Sequence, residues 1–480
     1  MTAQTHGNWI AGEWAVSAET VENRNPSDLD DVVGHYARAD AAQTREAVAA
    51  ARAAFPEWAA VLPERRQAIL EFIGNELMAR KDEIGALLSR EEGKPLHEGK
   101  AEVYRAGQFF HYYGGECVRQ MGEVADSVRP GVDVEVRREP LGVIGLITPW
   151  NFPVAIPAWK SAPALAYGNC MVLKPAELVP ASAHALAEII SRSGMPAGVF
   201  NLVQGSGRVV GEALLSDPDV DAISFTGSVE VGGHIAKRCA ETLKKVQLEM
   251  GGKNPLVVLD DADLETAAAA ALNGAYFATG QRCTASSRLI VTEGIHDRFV
   301  EALSGKLADL RVGHALEEGT QMGPLVSEDQ LQRSLDYIAV GQKEGANLHF
   351  GGQRLNRETK GYYLSPALFT GTTNAMRINR EEIFGPVASV IKVGGYDEAL
   401  ATANDTPFGL TAGICTNSLS HARDFRRKAQ AGVVVTNLPT AGTDYHVPFG
   451  GRKGSSYGPR EQGTYAREFY TVVKTAYTKA

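Results

Sequence analysis

The sequence predicts an α/β protein with two parallel-sheet domains and a small additional β region, and three observations carry that expectation. The chain has 480 residues, 44% of them hydrophobic, which is more than one hydrophobic core usually organises. Two successive sets of short apolar runs alternate with helix-like stretches, the pattern of parallel strands joined by right-handed crossovers. Two further alternating segments, "GVDVEVRREP" and "REFYTVVKTAYTKA", belong to neither set.

In chain order, residues 41–113 are rich in Ala, Glu, Arg and Leu at helical spacing, with Pro63 and Pro95 where helices can begin, and three helices are expected there. Residues 141–255 carry the first strand set, "GVIGLIT", "NCMVLKP", "GVFNLV", "DAISFTG" and "KVQLEM", separated by stretches such as "ASAHALAEIISRSG". The second set is "NPLVVLD", "SSRLIVTE", "ASVIKVG", "TAGICTN" and "GVVVTN", interleaved with "LETAAAAALNGAYFATG" and "HARDFRRKAQAG". The two outlying segments lie outside both sheets, and strands so placed commonly pair across a subunit interface, so a homo-oligomer is expected.

Composition narrows the functional classes. The formal net charge of -9 arises from interspersed acids and bases, and the absence of a Lys/Arg block argues against a nucleic-acid partner. The opening "MTAQTHGNWIAGEWAV" shows no basic stretch followed by an apolar run, and the most apolar later segment, "LGVIGLITPWNFPVAIPAW", is interrupted by three prolines and an asparagine. No membrane span is expected, and the location expected is cytoplasmic. The five cysteines, Cys117, Cys170, Cys239, Cys283 and Cys415, are scattered and form no CxxC pair, which argues against a disulfide framework or a metal site. Small buried hydrophobes are the default for such residues, and Cys170 and Cys415 sit in apolar runs that suit it.

Several short motifs fall at strand ends. "GSGRVVG", from Gly205 to Gly211, has the spacing GxGxxxG and no acidic residue closing a following strand, so it fails as a dinucleotide fingerprint. In "SFTGSVEVGG" a strand ends near Phe225 and Ser228 opens a helix, either as a phosphate-receiving N-terminus or as a plain cap. "LKPAE" places Lys174 and Glu177 at the C-terminal end of a parallel strand, where open sheets bind ligands, although a solvated edge would read the same. "TPWNFP" sets Asn151 among aromatics and prolines, so that packing can hold its amide as an oxyanion donor. "LEMGGKNP" puts Glu249 at a strand end before two glycines, either as a surface acid or as a partly buried base. "GQRCTASSR" presents Cys283 between an arginine and a threonine.

Taken together and in this order, "TPWNFP", "LKPAE", "SFTGSVEVG", "LEMGGKNP", "GQRC" and "EEIFGPV" resemble the aldehyde dehydrogenase superfamily over nearly the whole chain, with 34 positions between Glu249 and Cys283. The resemblance implies a cofactor domain over residues 1–118 and 140–250, a catalytic domain over 251–452, and an oligomerisation region over 119–139 and 453–480, assembling a homodimer or homotetramer. It implies Cys283 as the nucleophile toward a small aldehyde, Asn151 and the Cys283 N–H as oxyanion donors, and Glu249 as the base that activates water. It also implies cofactor contacts from Trp150, Lys174, Glu177, Ser228, Glu382 and Phe384. NAD is the expected cofactor, because Glu177 would accept from ribose hydroxyls and repel a 2'-phosphate; NADP remains usable with Lys174 alongside.

Other thiol chemistries are less consistent with these residues. A cysteine hydrolase or acyltransferase needs a histidine partner, and none of the eleven histidines falls in the shared motifs. CoA-acylating relatives usually lack the glutamate that this chain has at 249. The C-terminal "GSSYGPREQG" and "VKTAY" are similar to the α-ketoglutaric semialdehyde (2,5-dioxopentanoate) dehydrogenases. Succinate-semialdehyde and general aliphatic or aromatic aldehyde dehydrogenases are the alternatives. The first usually carries arginines where this chain has Trp159, before Lys160, and Phe277. Arg105 and Arg282 are then the candidates to meet a substrate carboxylate, with the "NLPTAGTDY" loop after them.

Overall fold

A computed structural model describes residues 5–479. Its first large sheet has eight strands in the order Ser456–Tyr457, Lys245–Met250, Ala222–Gly227, Val143–Ile147, Cys170–Lys174, Phe200–Leu202, Asn8–Ile10 and Glu13–Ala15. The five strands from Lys245–Met250 to Phe200–Leu202 run parallel, as crossover connections require, and antiparallel strands close both edges. Val143–Ile147 and Cys170–Lys174 are buried along their whole length, which explains their unbroken apolar composition.

The strand order reverses at Val143–Ile147, with Cys170–Lys174 on one side and Ala222–Gly227 on the other. Such a reversal leaves a crevice at the C-terminal strand ends. "TPWNFP", "LKPAE", "TGS" and "EMGG" all leave the sheet there, although they are far apart in sequence. The second sheet has seven strands, Asn347–Phe350, Ala367–Thr372, Val387–Val393, Arg288–Thr292, Pro255–Val258, Thr411–Cys415 and Val433–Thr436, parallel except at the first edge. Separate apolar clusters cover its two faces, one containing Leu256, Leu289 and Phe299 and the other Val257, Ile290 and Phe425.

The helical stretch differs from expectation. It forms four helices, not three: Ala41–Ala60, Pro63–Ala79, Lys81–Glu92 and Leu96–Glu116. Pro63 opens one and Pro95 immediately precedes another, but the extra break falls at Arg80, where neither proline nor glycine marks it. Arg80 is held there by Glu83 at 2.7 Å and by Glu188, on another helix, at 2.6 Å.

The outlying segments pair with each other. Val132–Pro140 runs between Glu123–Asp126 and Thr471–Lys479 in a three-stranded antiparallel sheet. Val124, Val473 and Tyr477 on it are exposed. Ser456–Tyr457, assigned from the sequence to the same region, instead pairs with Leu248 and Glu249 at the edge of the eight-stranded sheet. Residues 5–38 add two hairpins for which the sequence showed no strong signal.

Candidate active site

Cys283 sits in a loop whose backbone is strained just before it. Ala278, Thr279 and Gly280 have φ of 49°, 58° and 66°, three left-handed residues in succession. Such geometry persists only where surroundings impose it. Here the Ala278 N–H donates to Glu98 Oε1 at 3.2 Å and the Thr279 hydroxyl to the Gly323 carbonyl at 3.1 Å. A Cβ on Gly280 would lie 2.3 Å from the Gly385 oxygen, so the glycine of "GQRC" is needed for space as well as for φ. Beyond the turn, Asn254 Nδ2 donates to the carbonyls of Cys283 at 2.8 Å and Ala285 at 3.0 Å, while its Oδ1 accepts from the Thr411 N–H.

The other four cysteines are buried, and Cys283 alone is partly accessible. Two cavities, of about 400 and about 210 Å³, have Cys283 as their one common lining residue. Burial, with the Glu382 and Glu249 carboxylates nearby, pushes its thiol up to about 12, so it rests protonated. Alkylation by iodoacetamide of the cofactor-free protein is therefore expected to rise roughly tenfold per pH unit from about pH 7 to about pH 10. A rate that levels off below about pH 8.5 would show a thiolate already formed at rest.

Asn151 is buried, and its Nδ2 donates to the Gln281 carbonyl at 2.9 Å, which ties it to the cysteine loop. Its own carbonyl accepts from Lys94 Nζ at 2.6 Å. Lys94 is fully buried and bonded to Glu102 Oε2 at 2.7 Å, and Glu102 Oε1 accepts the N–H groups of Val154 and Ala155. The segment is thus clamped from both sides, the fixed setting that an oxyanion amide requires.

Glu249 ends its strand with its carboxyl buried. Oε2 accepts from the Ser456 hydroxyl at 2.5 Å, and Oε1 has no partner among the described residues. Burial and the charge of Glu461 push this carboxyl well above its usual range, against the pull of Ser456, Lys160 and Arg460. Lys160 lies behind it, bonded to Glu461 and to the Ser224 hydroxyl.

The 210 Å³ cavity follows the crevice at the strand ends, and Trp150, Asn151, Thr226, Gly227, Ser228, Glu382 and Phe384 line it. Ser228 caps the helix Val229–Thr242, accepting from the Val231 N–H at 3.3 Å. Glu382 Oε1 accepts from the Gly252 N–H at 3.0 Å, and burial pushes its carboxyl up to about 7. A Cβ on Gly251 would meet Glu382 Oε2 at 1.9 Å, which accounts for a glycine before Gly252. Phe384 has φ of 63°, its carbonyl takes a 2.7 Å bond from Gln330, and its ring meets Trp150 edge-on with centroids 5.3 Å apart.

Lys174 and Glu177 do not line this cavity but lie on the same strand-end edge, where the Thr148 N–H donates to the Lys174 carbonyl at 3.1 Å. Lys174 is buried, which lowers its ammonium, and Glu177 is exposed 3.8 Å from Arg38. A dinucleotide fits this groove on the structure's own terms. The Thr226 hydroxyl is buried there without a partner among the described residues, and a capped helix N-terminus, a carboxylate and an aromatic pair line it.

The 400 Å³ cavity opens on the other side of Cys283, lined among others by Arg105, Phe109, Trp159, Arg282, Thr443 and Phe449. Arg282 is engaged by Glu98 at 3.3 Å and by Asn273 at 3.4 Å. Arg105 pairs with no carboxylate among the described residues and lies 5.6 Å from the centre of the Tyr445 ring. Trp159 packs against Phe109 and Phe449, giving the cavity an aromatic wall, whereas Phe277 packs on the core of the second sheet.

Several residues escaped the sequence reading. Asn254 and Gln281 lay inside quoted motifs, but no local signal marked them as the anchors of the Cys283 and Asn151 segments. Ser456 and Glu461 likewise lay inside the quoted "GSSYGPREQG" with no signal of their role, whereas Lys94, Glu102 and Gln330 reach the site only through tertiary packing and were illegible in the sequence.

The comparisons agree with this geometry. Residues 14–476 match the model described as the aldehyde dehydrogenase family. The alpha-ketoglutaric semialdehyde dehydrogenase of Bacillus subtilis (strain 168) is 44% identical over 99% of this chain and 98% of its own length. The alpha-ketoglutarate semialdehyde dehydrogenase of Haloferax volcanii is 42% identical over 98% of each. A crystal structure of betaine aldehyde dehydrogenase from Staphylococcus aureus in complex with NAD+ superposes with a TM-score of 0.96 at 34% identity, covering 99% of this chain and 94% of that one. A thiol at the junction of two cavities, a clamped amide and a buried carboxyl, on a chain so matched along its length, place this protein in the aldehyde dehydrogenase family, as an enzyme that oxidises aldehydes to carboxylates with NAD(P).

Proposed function

We propose that the substrate is a short aldehyde with a distal carboxylate, 2,5-dioxopentanoate first among them, and that Cys283 is the nucleophile. The observation that carries this reading is the position of Cys283 between a groove suited to a dinucleotide and a funnel holding Arg105, a guanidinium with no carboxylate partner among the described residues. A carboxylate entering an apolar funnel would lose its hydration without compensation; a free cation supplies it. Arg282, already held by Glu98, is the weaker candidate. The names of the two semialdehyde dehydrogenases reported above point the same way.

In this proposal the Cys283 sulfur adds to the aldehyde carbon as its proton passes to solvent water, and the new oxyanion is held by the Asn151 amide and the Cys283 N–H. A nicotinamide held by Trp150 and Phe384 would supply the hydride acceptor, leaving a thioester on Cys283. Glu249, once deprotonated, takes a proton from the water that attacks the thioester, and the carboxylate product leaves with the thiol restored. Lys174 and Glu177 would hold the adenosine ribose, Ser228 the pyrophosphate, Glu382 the other ribose, and Trp150 and Phe384 the nicotinamide. NAD is the preferred cofactor and NADP a usable one. The proposed domain division is the one stated from the sequence apart from Ser456–Tyr457, which pairs with the first sheet, and the strands Glu123–Asp126, Val132–Pro140 and Thr471–Lys479 join subunits of a homodimer or homotetramer. Five unpaired thiols suit a reducing cytoplasm.

Steady-state kinetics test the substrate. With 2,5-dioxopentanoate, kcat/KM is expected to exceed that with pentanal, and Arg105→Met should erase most of the gap, raising KM about 10- to 100-fold with a smaller effect on kcat. Equal efficiency on pentanal or benzaldehyde would instead mark a general aldehyde dehydrogenase.

A further inference from the structure

At the outer end of the dinucleotide groove the chain places a second cation beside Glu177. Arg38 ends the strand Asp28–Arg38 and lies 3.8 Å from Glu177 and 3.6 Å from Glu19. The strand Glu19–Asn25 runs antiparallel beside it and pairs Glu19 with Arg38, so backbone register fixes which acid meets the guanidinium. An anchor on the other side steadies this corner: Asn23 Nδ2 donates to the Leu178 carbonyl at 3.0 Å, joining the hairpin to the residue after Glu177.

Neither ion pair is tight. Both exceed hydrogen-bonding distance, and Arg38, Glu177 and Glu19 are 45%, 42% and 72% exposed. Exposed pairs of this kind contribute little and are readily exchanged for a better ligand. A phosphate is a better ligand, because a guanidinium can meet two of its oxygens in parallel. The corner also balances in charge: Lys174 and Arg38 are positive, Glu177 and Glu19 negative. A 2'-phosphate would therefore meet two cations as well as the two acids that repel it.

The geometry points to Arg38, with Glu19 as its counterweight, as the residue that sets how well the protein accepts a 2'-phosphorylated dinucleotide. This rests on the reading of Lys174 and Glu177 as the ribose end of the groove. Arg38 reaches that end from a hairpin of the first 38 residues, outside every motif quoted above. It would swing from Glu177 to the phosphate when one is present and return when none is.

Binding of adenosine 2',5'-bisphosphate and of 5'-AMP to the cofactor-free protein, measured by calorimetry at one fixed ionic strength, tests this without turnover. Arg38→Gln is expected to lower the ratio of affinities, bisphosphate over AMP, about tenfold, and Glu19→Gln to raise it about threefold. The ratio of kcat/KM for NADP over NAD should move in parallel. A ratio within twofold of the parent in both variants overturns the role of Arg38. If Lys174→Met leaves the binding of both ligands unchanged, the ribose end lies elsewhere, and the reading beneath the proposal fails with it. All three positions are at or near strand ends, and melting temperatures check that each variant is folded.

Discussion

Cys283→Ala is expected to abolish aldehyde oxidation while the protein still binds NAD. In the proposed mechanism the Cys283 sulfur is the atom that bonds to the aldehyde carbon, and without it no acyl intermediate can form. The groove that suits the dinucleotide is lined by other polar residues, Thr226, Ser228 and Glu382 among them. Structure gives little reason for the variant to misfold. Cys283 is partly exposed, and the loop is held through its backbone by Asn254 and through the turn by Glu98 and Gly323. Turnover should fall to background, at least about 10,000-fold, because the remaining oxyanion donors have nothing to stabilise. Calorimetric titration with NAD should give an affinity within a few-fold of the parent. Appreciable residual oxidation in a preparation free of the parent protein would remove Cys283 from the mechanism.

The second large effect concerns Glu249. In Glu249→Gln a rapid burst of reduced cofactor, roughly one per active site, should be followed by a stall, since the thioester forms but water is not activated. Stopped-flow absorbance at about 340 nm reads both phases. Loss of the burst as well would show that Glu249 acts earlier, by taking the proton from Cys283. The charge of Glu249 argues for the burst, because that carboxylate is among the charges that raise the thiol and its neutralisation eases thiolate formation.

The carboxyl of Glu249 also has a linkage consequence. Its folded value lies above its unfolded one, so the folded state keeps a proton that the unfolded chain gives up. Stability contributed in this way is present at pH below the unfolded value and is lost as pH rises from there through the folded value. The glutamine variant has nothing to ionise and should melt no lower than the parent at neutral to alkaline pH. A melting point well below the parent's at about pH 8 would mean that the charged carboxylate stabilises the fold, contrary to the direction argued for it.

How much of this was legible beforehand differs from element to element. The parallel strands Val143–Ile147, Cys170–Lys174 and Arg288–Thr292 could be read directly, because a strand buried on both faces must be apolar throughout. The break at Arg80 could not, because it rests on pairing with Glu188, on a helix 108 positions away in sequence. The short strand Ser456–Tyr457 was likewise hidden: its place is set by the edge of Lys245–Met250, which is a property of the sheet.

The site divides along the same line. From the chain alone came the order of the motifs, the two glycines before Lys253, and a lone cysteine after "GQR", each of which reflects a local demand on backbone conformation or reactivity. Only the tertiary structure decided that Arg105 pairs with no carboxylate among the described residues while Arg282 is held by Glu98, that Lys94 and Glu102 clamp the Asn151 segment, and that Glu249 is enclosed beside Glu461. Whether a charged group is available, neutralised or forced toward its uncharged form depends on the partners and the water within a few ångströms of it. Those neighbours are brought together by folding from positions hundreds of residues apart, as Lys160 and Glu461 are, so no local pattern in the sequence could have encoded them.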